Sequence, residues 1–322
     1  MPNYSGVWSL STQFQAQGQG NWPVIYGGDI GALHAGISGG VTTSSIEYIN
    51  IASAGNSTAY GNLSSARYYT NSCASSTRGV WSAGTSTSDV IEFLNFSSGG
   101  NTTNFGSLSI GGRTGTGTSN STRGLFAIAW DGSTRLNTIE YITIATAGDA
   151  TDFGDLTVAR YGMAGGASTT RALFSGGNYG ATPQTNLIDY VTIATTGNAL
   201  DFGDLTEAVD LNSNTACSST RSLRMGGRAS GGVRSNTIDY VTIATTGNAT
   251  DFGDLLEGLT EGVAAISNSV TGLALGGQNA SGQVNTIQSV TIASTGNSTD
   301  FGDLLDVTSA AAGCSNSHGG LS

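Results

Sequence analysis

One block of eighteen residues recurs six times along this chain, and so regular a self-similarity points to a repeat architecture before any local propensity is weighed. The copies begin at Ile46 (IEYINIASAGNSTAYGNL), Ile91 (IEFLNFSSGGNTTNFGSL), Ile139 (IEYITIATAGDATDFGDL), Ile188 (IDYVTIATTGNALDFGDL), Ile238 (IDYVTIATTGNATDFGDL) and Ile287 (IQSVTIASTGNSTDFGDL). Successive copies start 45, 48, 49, 50 and 49 residues apart. Within a copy the spacing is rigid: the Asn or Asp of a turn follows the leading Ile by ten residues, an aromatic by fourteen, Gly by fifteen and Leu by seventeen.

A looser half precedes each block, so that one unit holds four β-prone runs. Around Ile188 they are residues Tyr161–Ala167, Arg171–Gly176, Leu187–Thr195 and Asp201–Thr206, separated by Gly, Ser, Asn and Asp. The third run places Ile188 and Tyr190 on one face and Val191 and Ile193 on the other, and neither face suits water. A strand apolar on both sides must be sandwiched, and a radial array of small antiparallel sheets meets that demand while leaving short, protected edges. The sequence therefore predicts an all-β, six-bladed propeller with four antiparallel strands per blade. The last block ends at Leu304 and is followed by a first-strand-like run, Val307–Cys314; the first block is preceded by a second-strand-like run, Leu33–Gly40. Pairing of these two runs would close the ring across residues 29–322 and leave residues 1–28 as an N-terminal arm.

Composition narrows the function. The 322 residues carry 11 basic and 22 acidic side chains, a net charge of −11, and every basic residue is Arg. So acidic a surface is a poor match for nucleic-acid phosphates. No apolar run approaches the roughly 20 residues needed to span a bilayer, and the N-terminus lacks a basic region followed by an apolar one, so neither membrane insertion nor Sec export is expected. Three cysteines, Cys73, Cys217 and Cys314, fit no disulfide framework and read as small buried apolar residues. His34 and His318 are too few for a histidine metal centre. No phosphate loop with Lys, no Gly-X-Ser-X-Gly elbow and no sialidase-type Asp box is present, so a non-enzymatic protein without metal or cofactor is expected.

Several features carry a resemblance. Gly pairs end the second run (Gly176-Gly177, Gly226-Gly227, Gly276-Gly277), and a Tyr follows an acidic residue downstream (Asp189-Tyr190, Asp239-Tyr240). This pattern resembles the kelch-type propeller repeat, although Phe202 and Phe252 stand where kelch repeats have Trp, and the Gly pair becomes Ala83-Gly84 in one repeat and is lost at Ala129-Trp130 in another. The phrasing TIATTGNATDFGDL and the opening GVWSLSTQFQAQGQGNWP resemble virion structural proteins of tailed bacteriophages, marine and cyanobacterial ones above all. That resemblance implies a place on the exterior of a virion, on tail or capsid, in several copies or as a homo-oligomer. The role it implies is a tail fibre or adhesin whose loops recognise a host-surface glycan. Two alternatives stand beside it: a decoration or connector of capsid, neck or tail that contacts only other virion proteins, and a lectin-like module.

Particular residues attach to these readings. In a propeller blade the second-to-third and fourth-to-first connections share one side. The second-to-third connections vary most, from VTTSS at 41–45 to NYGATPQTNL at 178–187 and RASGGVRSNT at 228–237. Loops on a rigid scaffold are where recognition concentrates, so Trp130, Arg135, Tyr179, Arg228, Arg234 and Gln278 are the candidate contacts. Trp8, Leu10, Phe14 and Trp22 give the arm an apolar docking surface. The Asp-Phe-Gly-Asp segments (Asp152 and Asp155, Asp201 and Asp204, Asp251 and Asp254, Asp300 and Asp303) read as turns, with calcium ligation as the alternative. Arg78, Arg123, Arg171 and Arg221, which open the second run, read as ion-pair bridges to the acidic turns of an adjacent blade, or else as anion ligands. The Asn-X-Ser/Thr triplets at Asn56, Asn95, Asn101, Asn248 and Asn297 reflect composition and suggest no function.

Overall fold

The computed structural model describes residues 26–180, 184–211 and 215–321; the arm residues Trp8, Leu10, Phe14 and Trp22 lie outside them. The fold is all-β, a propeller-like ring of antiparallel sheets, and the described strands hydrogen-bond into six of these. Around Ile188 the strands are Ala164–Ala167, Arg171–Ser175, Thr185–Thr192 and Leu200–Asp210, in that order from the inside of the ring outwards. Each predicted run thus yields a strand, the innermost starting three residues late and the outermost running longer than expected.

Six equivalent blades are not what the strands form. Five sheets have an innermost strand of four residues: Asn71–Ala74, Thr116–Ser119, Ala164–Ala167, Ala264–Ser267 and Ala312–Ser315. Among the described residues the sixth has Ala216–Cys217, in register opposite Leu223 and Ser222. Blades with a full-length innermost strand among the described residues therefore number five, and six equivalent blades are not formed.

The chain ends also differ in detail from the expectation. Ala312–Ser315 pairs with Ile30–His34, Gly31 facing Ser315 and His34 facing Ala312. Val307–Ser309, expected to begin that C-terminal strand, instead completes the outermost strand Thr299–Ser309 of the preceding sheet. Ile37–Ser38 and Val41–Thr42 form a small hairpin against it, since Gly39 and Gly40 both adopt positive φ and turn the chain back.

The eighteen-residue block is the code for the seams between sheets. Its Asn-containing turn sends the amide of a Gly to the carbonyl of the aromatic in the neighbouring sheet: Gly197 to Phe153 at 2.7 Å, Gly247 to Phe202 at 2.8 Å, Gly296 to Phe252 at 2.8 Å and Gly55 to Phe301 at 2.9 Å. The side chains of Asn198, Asn248, Asn297 and Asn56 accept the amides of Asp155, Asp204, Asp254 and Asp303 across the same seams at 3.0–3.1 Å. Asn56, Asn248 and Asn297 thus have a structural role that composition concealed. The Asp-Phe-Gly-Asp segments are not turns. They lie in outermost strands such as Thr250–Asp254, where Phe252 points into the core and Gly253 sits opposite a register shift.

The buried acid of each third strand makes a second clasp. Glu92, Glu140, Asp189 and Glu47 accept the backbone amides of Ser64, Ser109, Thr157 and Leu305, each in the preceding sheet, at 2.9–3.1 Å, and Gln288 takes Leu256 in the same way at 2.8 Å. In three seams an Arg is buried against this acid: Arg67 with Glu92, Arg160 with Asp189 at 2.8 Å, and Arg224 with Asp239. Apolar side chains fill the space between sheets, as where Leu125, Phe153, Phe174 and Ile193 meet.

The arginines that open the second strands bridge neighbouring sheets, but to carbonyls and not to acidic turns. Arg171 donates to Ile243 O at 3.0 Å and Ala244 O at 2.8 Å, and stacks on Tyr190 with its Cζ 4.9 Å from the ring centroid. The acidic segments expected as partners lie in outermost strands, and no ion pair among the described residues joins them to these arginines.

Candidate functional site

Where the chain enters the innermost strands, on the side of the second-to-third connections, equivalent residues take the left-handed conformation: Tyr69 (φ 55), Thr114 (φ 56), Gly162 (φ 72), Leu211 (φ 60) and Ala310 (φ 52). That conformation is unusual for any residue with a Cβ and more so for a β-branched Thr. Their amides reach from sheet to sheet: Tyr69 to Ala310 O at 3.1 Å, Thr114 to Tyr69 O at 3.3 Å, Gly162 to Thr114 O at 2.7 Å and Gly262 to Leu211 O at 2.7 Å. Strained backbone held by such a network brings side chains from five repeats to one mouth.

A cleft of about 400 Å³ opens there, lined by Tyr69, Arg113, Thr114, Trp130, Arg135, Tyr161, Leu211, Arg228 and Glu261. Trp130 and Tyr161 meet edge to face, 6.4 Å between centroids at 75°. The Arg135 guanidinium lies 5.3 Å from the Tyr161 centroid and 5.9 Å from that of Trp130. Backbone bridges from Trp130 to Arg113 and to Arg135 hold this cluster in place. Arg228 is fixed by a two-pronged pair with Asp210, Nε to Oδ1 and Nη2 to Oδ2, both 2.9 Å. The buried Asp210 also accepts Asn178 Nδ2 at 3.2 Å. Hydrogen bonding to Asp210 raises the Arg228 pKa further, so its charge is permanent. Tyr69 donates to Glu261 Oε2 at 2.9 Å, and burial together with that carboxylate pushes its phenol pKa upward, keeping it a donor.

Three guanidiniums thus share the cleft with the Glu261 carboxylate, while the other carboxylate at its edge, Asp210, is already paired. Trp130 Nε1 and Arg135 Nε are buried and have no hydrogen-bond partner among the described residues. Unmade bonds on buried donors cost free energy until an acceptor arrives. Chemically, the site offers aromatic surface for an apolar ring face and cationic donors for a carboxylate.

Of the residues expected from sequence, Trp130, Arg135 and Arg228 converge in this cleft. Tyr179, Arg234 and Gln278 do not line it. Tyr179 is 43% exposed. Arg234 is exposed and joins Arg228 through a backbone bridge, and Gln278 is tied by its backbone to Thr260 and paired with Gln283. The 228–237 loop spends its length on its own bonds, Ala229 N donating to Val233 O at 2.8 Å and Ser235 N to Gly227 O at 2.9 Å. The residues that sequence reasoning missed, Tyr69, Arg113, Thr114, Tyr161, Leu211 and Glu261, come from the fourth-to-first connections. Their signal was chemical variety at a fixed point of an otherwise uniform repeat.

Between the inner strands a second cavity of only about 40 Å³ is lined by Cys73, Cys217, Cys314 and His318 among others. Burial raises the pKa of all three thiols, which keeps them protonated, and no cluster of three or more His, Cys, Asp or Glu suited to a metal occurs among the described residues. Compared with known protein families and with curated proteins, the chain has no match.

Proposed function

We propose that this protein is a non-enzymatic recognition module on the exterior of a virion, and that its mouth cleft binds a host-surface glycan carrying a carboxylate. The single observation that carries the reading is the convergence of Trp130 and Tyr161 with Arg113, Arg135 and Arg228 around about 400 Å³ of open space. An aromatic face with a cationic fork beside it suits a sugar ring with an acidic substituent. The virion setting rests on the resemblance of the repeat and the opening segment to tailed-phage structural proteins, which present such domains in many copies; multiple weak contacts then add through avidity.

The scaffold in this proposal is a ring of six blades, one of them with a shortened inner strand, closed where Ala312–Ser315 pairs with Ile30–His34. It is supported by the six block copies and by last-to-first bonds of the same kind as those at the other seams: Gly55 to Phe301 O, Asp303 to Asn56 Oδ1 and Leu305 to Glu47.

The test is binding of the purified chain to an array of acidic and neutral oligosaccharides. Binding restricted to carboxylated glycans is expected, weakened about tenfold or more by Trp130→Ala and by Arg135→Ala. Thermal melts of the variants establish that they remain folded. Absence of glycan binding, together with capture by other virion proteins, would replace this reading with the connector.

A further inference from the structure

Four seams share one device. An Arg opening the second strand stacks on the aromatic of its own third strand and donates to carbonyls that follow the third strand of the next sheet. Arg171 has been described; Arg78 reaches Ile144 O and Ala145 O at 2.8 and 2.9 Å, Arg123 reaches Ile193 O and Ala194 O at 2.9 Å each, and Arg221 reaches Ile292 O at 3.0 Å. At a fifth seam Ile30 holds the Arg position, opposite Asn50, and Tyr26 fills the space instead, packed on Tyr48 with centroids 4.7 Å apart and its amide on Ser97 O at 3.1 Å.

The remaining seam has lost both partners. Thr271 stands where four other sheets carry Arg, and Ser289 stands where the others carry Tyr or Phe. A cavity of about 310 Å³ occupies this place, lined by Thr271, Ser289 and the turn around Ser294 from one sheet and by Ile51 and Ala52 from the next. The carbonyls of Ile51 and Ala52 are the counterparts of Ile243 and Ala244, and no described residue donates to either.

We propose that this cavity is a docking site for an arginine side chain of a partner protein, whose guanidinium takes up the Ile51 and Ala52 carbonyls. The seams of Arg78, Arg123 and Arg171 show the fit of that group to that carbonyl pair. The Asp29 carboxylate, which accepts Asn268 Nδ2 at 2.7 Å across the same seam, and the net charge of −11 both favour a cation here. Residues 1–25, 181–183, 212–214 and 322 contain neither Arg nor Lys, so none of them supplies the group. The site lies on the side of the third-to-fourth turns, away from the mouth cleft, and does not depend on what the cleft binds.

The experiment is titration of the ¹⁵N-labelled protein with N-acetyl-argininamide and, separately, N-acetyl-lysinamide, followed by amide shifts. Saturable shifts confined to residues 51–53 and 294–299 are expected, with the arginine compound bound about tenfold more tightly. Thr271→Arg should abolish them and raise the thermal midpoint by supplying the bridge internally. Ser289→Tyr, which restores the stacking ring, should tighten binding several-fold. Shifts that are absent, spread over every turn, equal for lysine or undiminished in folded Thr271→Arg would overturn the site, and so would weaker binding to Ser289→Tyr.

Discussion

Burial gives two histidines of this protein a defined direction of response to pH. His34 is fully buried, with Nδ1 3.0 Å from Thr70 Oγ1 and Nε2 3.2 Å from Thr43 O. Burial, aided by the charge of Arg67, lowers its pKa from 6.5 to about 4, and burial brings His318 to about 4 as well. A histidine held neutral in the folded state gains its proton first in the unfolded one. Its contribution is therefore complete above the ordinary value and is lost as pH falls from about 6.5 to about 4, at a cost of about 3 kcal/mol for His34. Glu47, whose pKa burial raises, acts with the opposite sign, so a variant is needed to isolate the histidine. Urea midpoints at pH 7.5 and pH 5 should show a smaller loss on acidification for His34→Gln than for the parent; equal losses would refute the assignment. Arg160 and Asp189 are 0% and 1% exposed, so Arg160→Met strands a buried carboxylate and should cost about 3–5 kcal/mol by chemical denaturation. Adding Asp189→Asn, which keeps the acceptor for Thr157 without the charge, should recover most of that.

At the scale of strands and turns, stability is concentrated where one sheet's turn meets the next sheet's outermost strand. Gly253 has φ +147, and a Cβ there would stand 2.5 Å from the Gly296 carbonyl oxygen, an atom of the neighbouring turn's backbone. Neither that conformation nor that approach is open to another residue, so Gly253→Ala should destabilise by about 2 kcal/mol or more. Gly148→Ala, where a Cβ meets nothing within 4 Å, should stay within about 0.5 kcal/mol in the same calorimetric comparison. Arg171→Ala removes two hydrogen bonds and a stacking contact from one seam; a loss of about 1–3 kcal/mol is expected, with the mouth cleft's ligand binding unchanged.

For the molecule as a whole, the pairing of Ala312–Ser315 with Ile30–His34 joins residues from opposite ends of the chain. Truncation after Ala310 should turn one cooperative calorimetric transition into a broad or multiple one, and a single unshifted transition would contradict closure by this strand. Much of this architecture was legible beforehand, because the block couples neighbouring units through contacts at fixed spacing. Ile188 and Val191 announced a strand buried on both faces, while the fixed spacing of the turn Asn or Asp, the aromatic and Gly marked the repeat without revealing that they form a joint between sheets. The chemistry of that joint was misread, since Asp251 and Asp254 look like a turn until Gly253 is seen meeting the next sheet. The cleft was half legible: loop variety pointed to Trp130, Arg135 and Arg228 but not to Tyr69, Arg113, Tyr161 or Glu261. What the sequence alone determined was the repeating unit, since strand, bulge and turn depend on residues a few positions apart. Only the tertiary structure decided which side chains share the mouth and which seam lacks its arginine, because the ring sets side by side residues that lie a repeat or more apart in the chain.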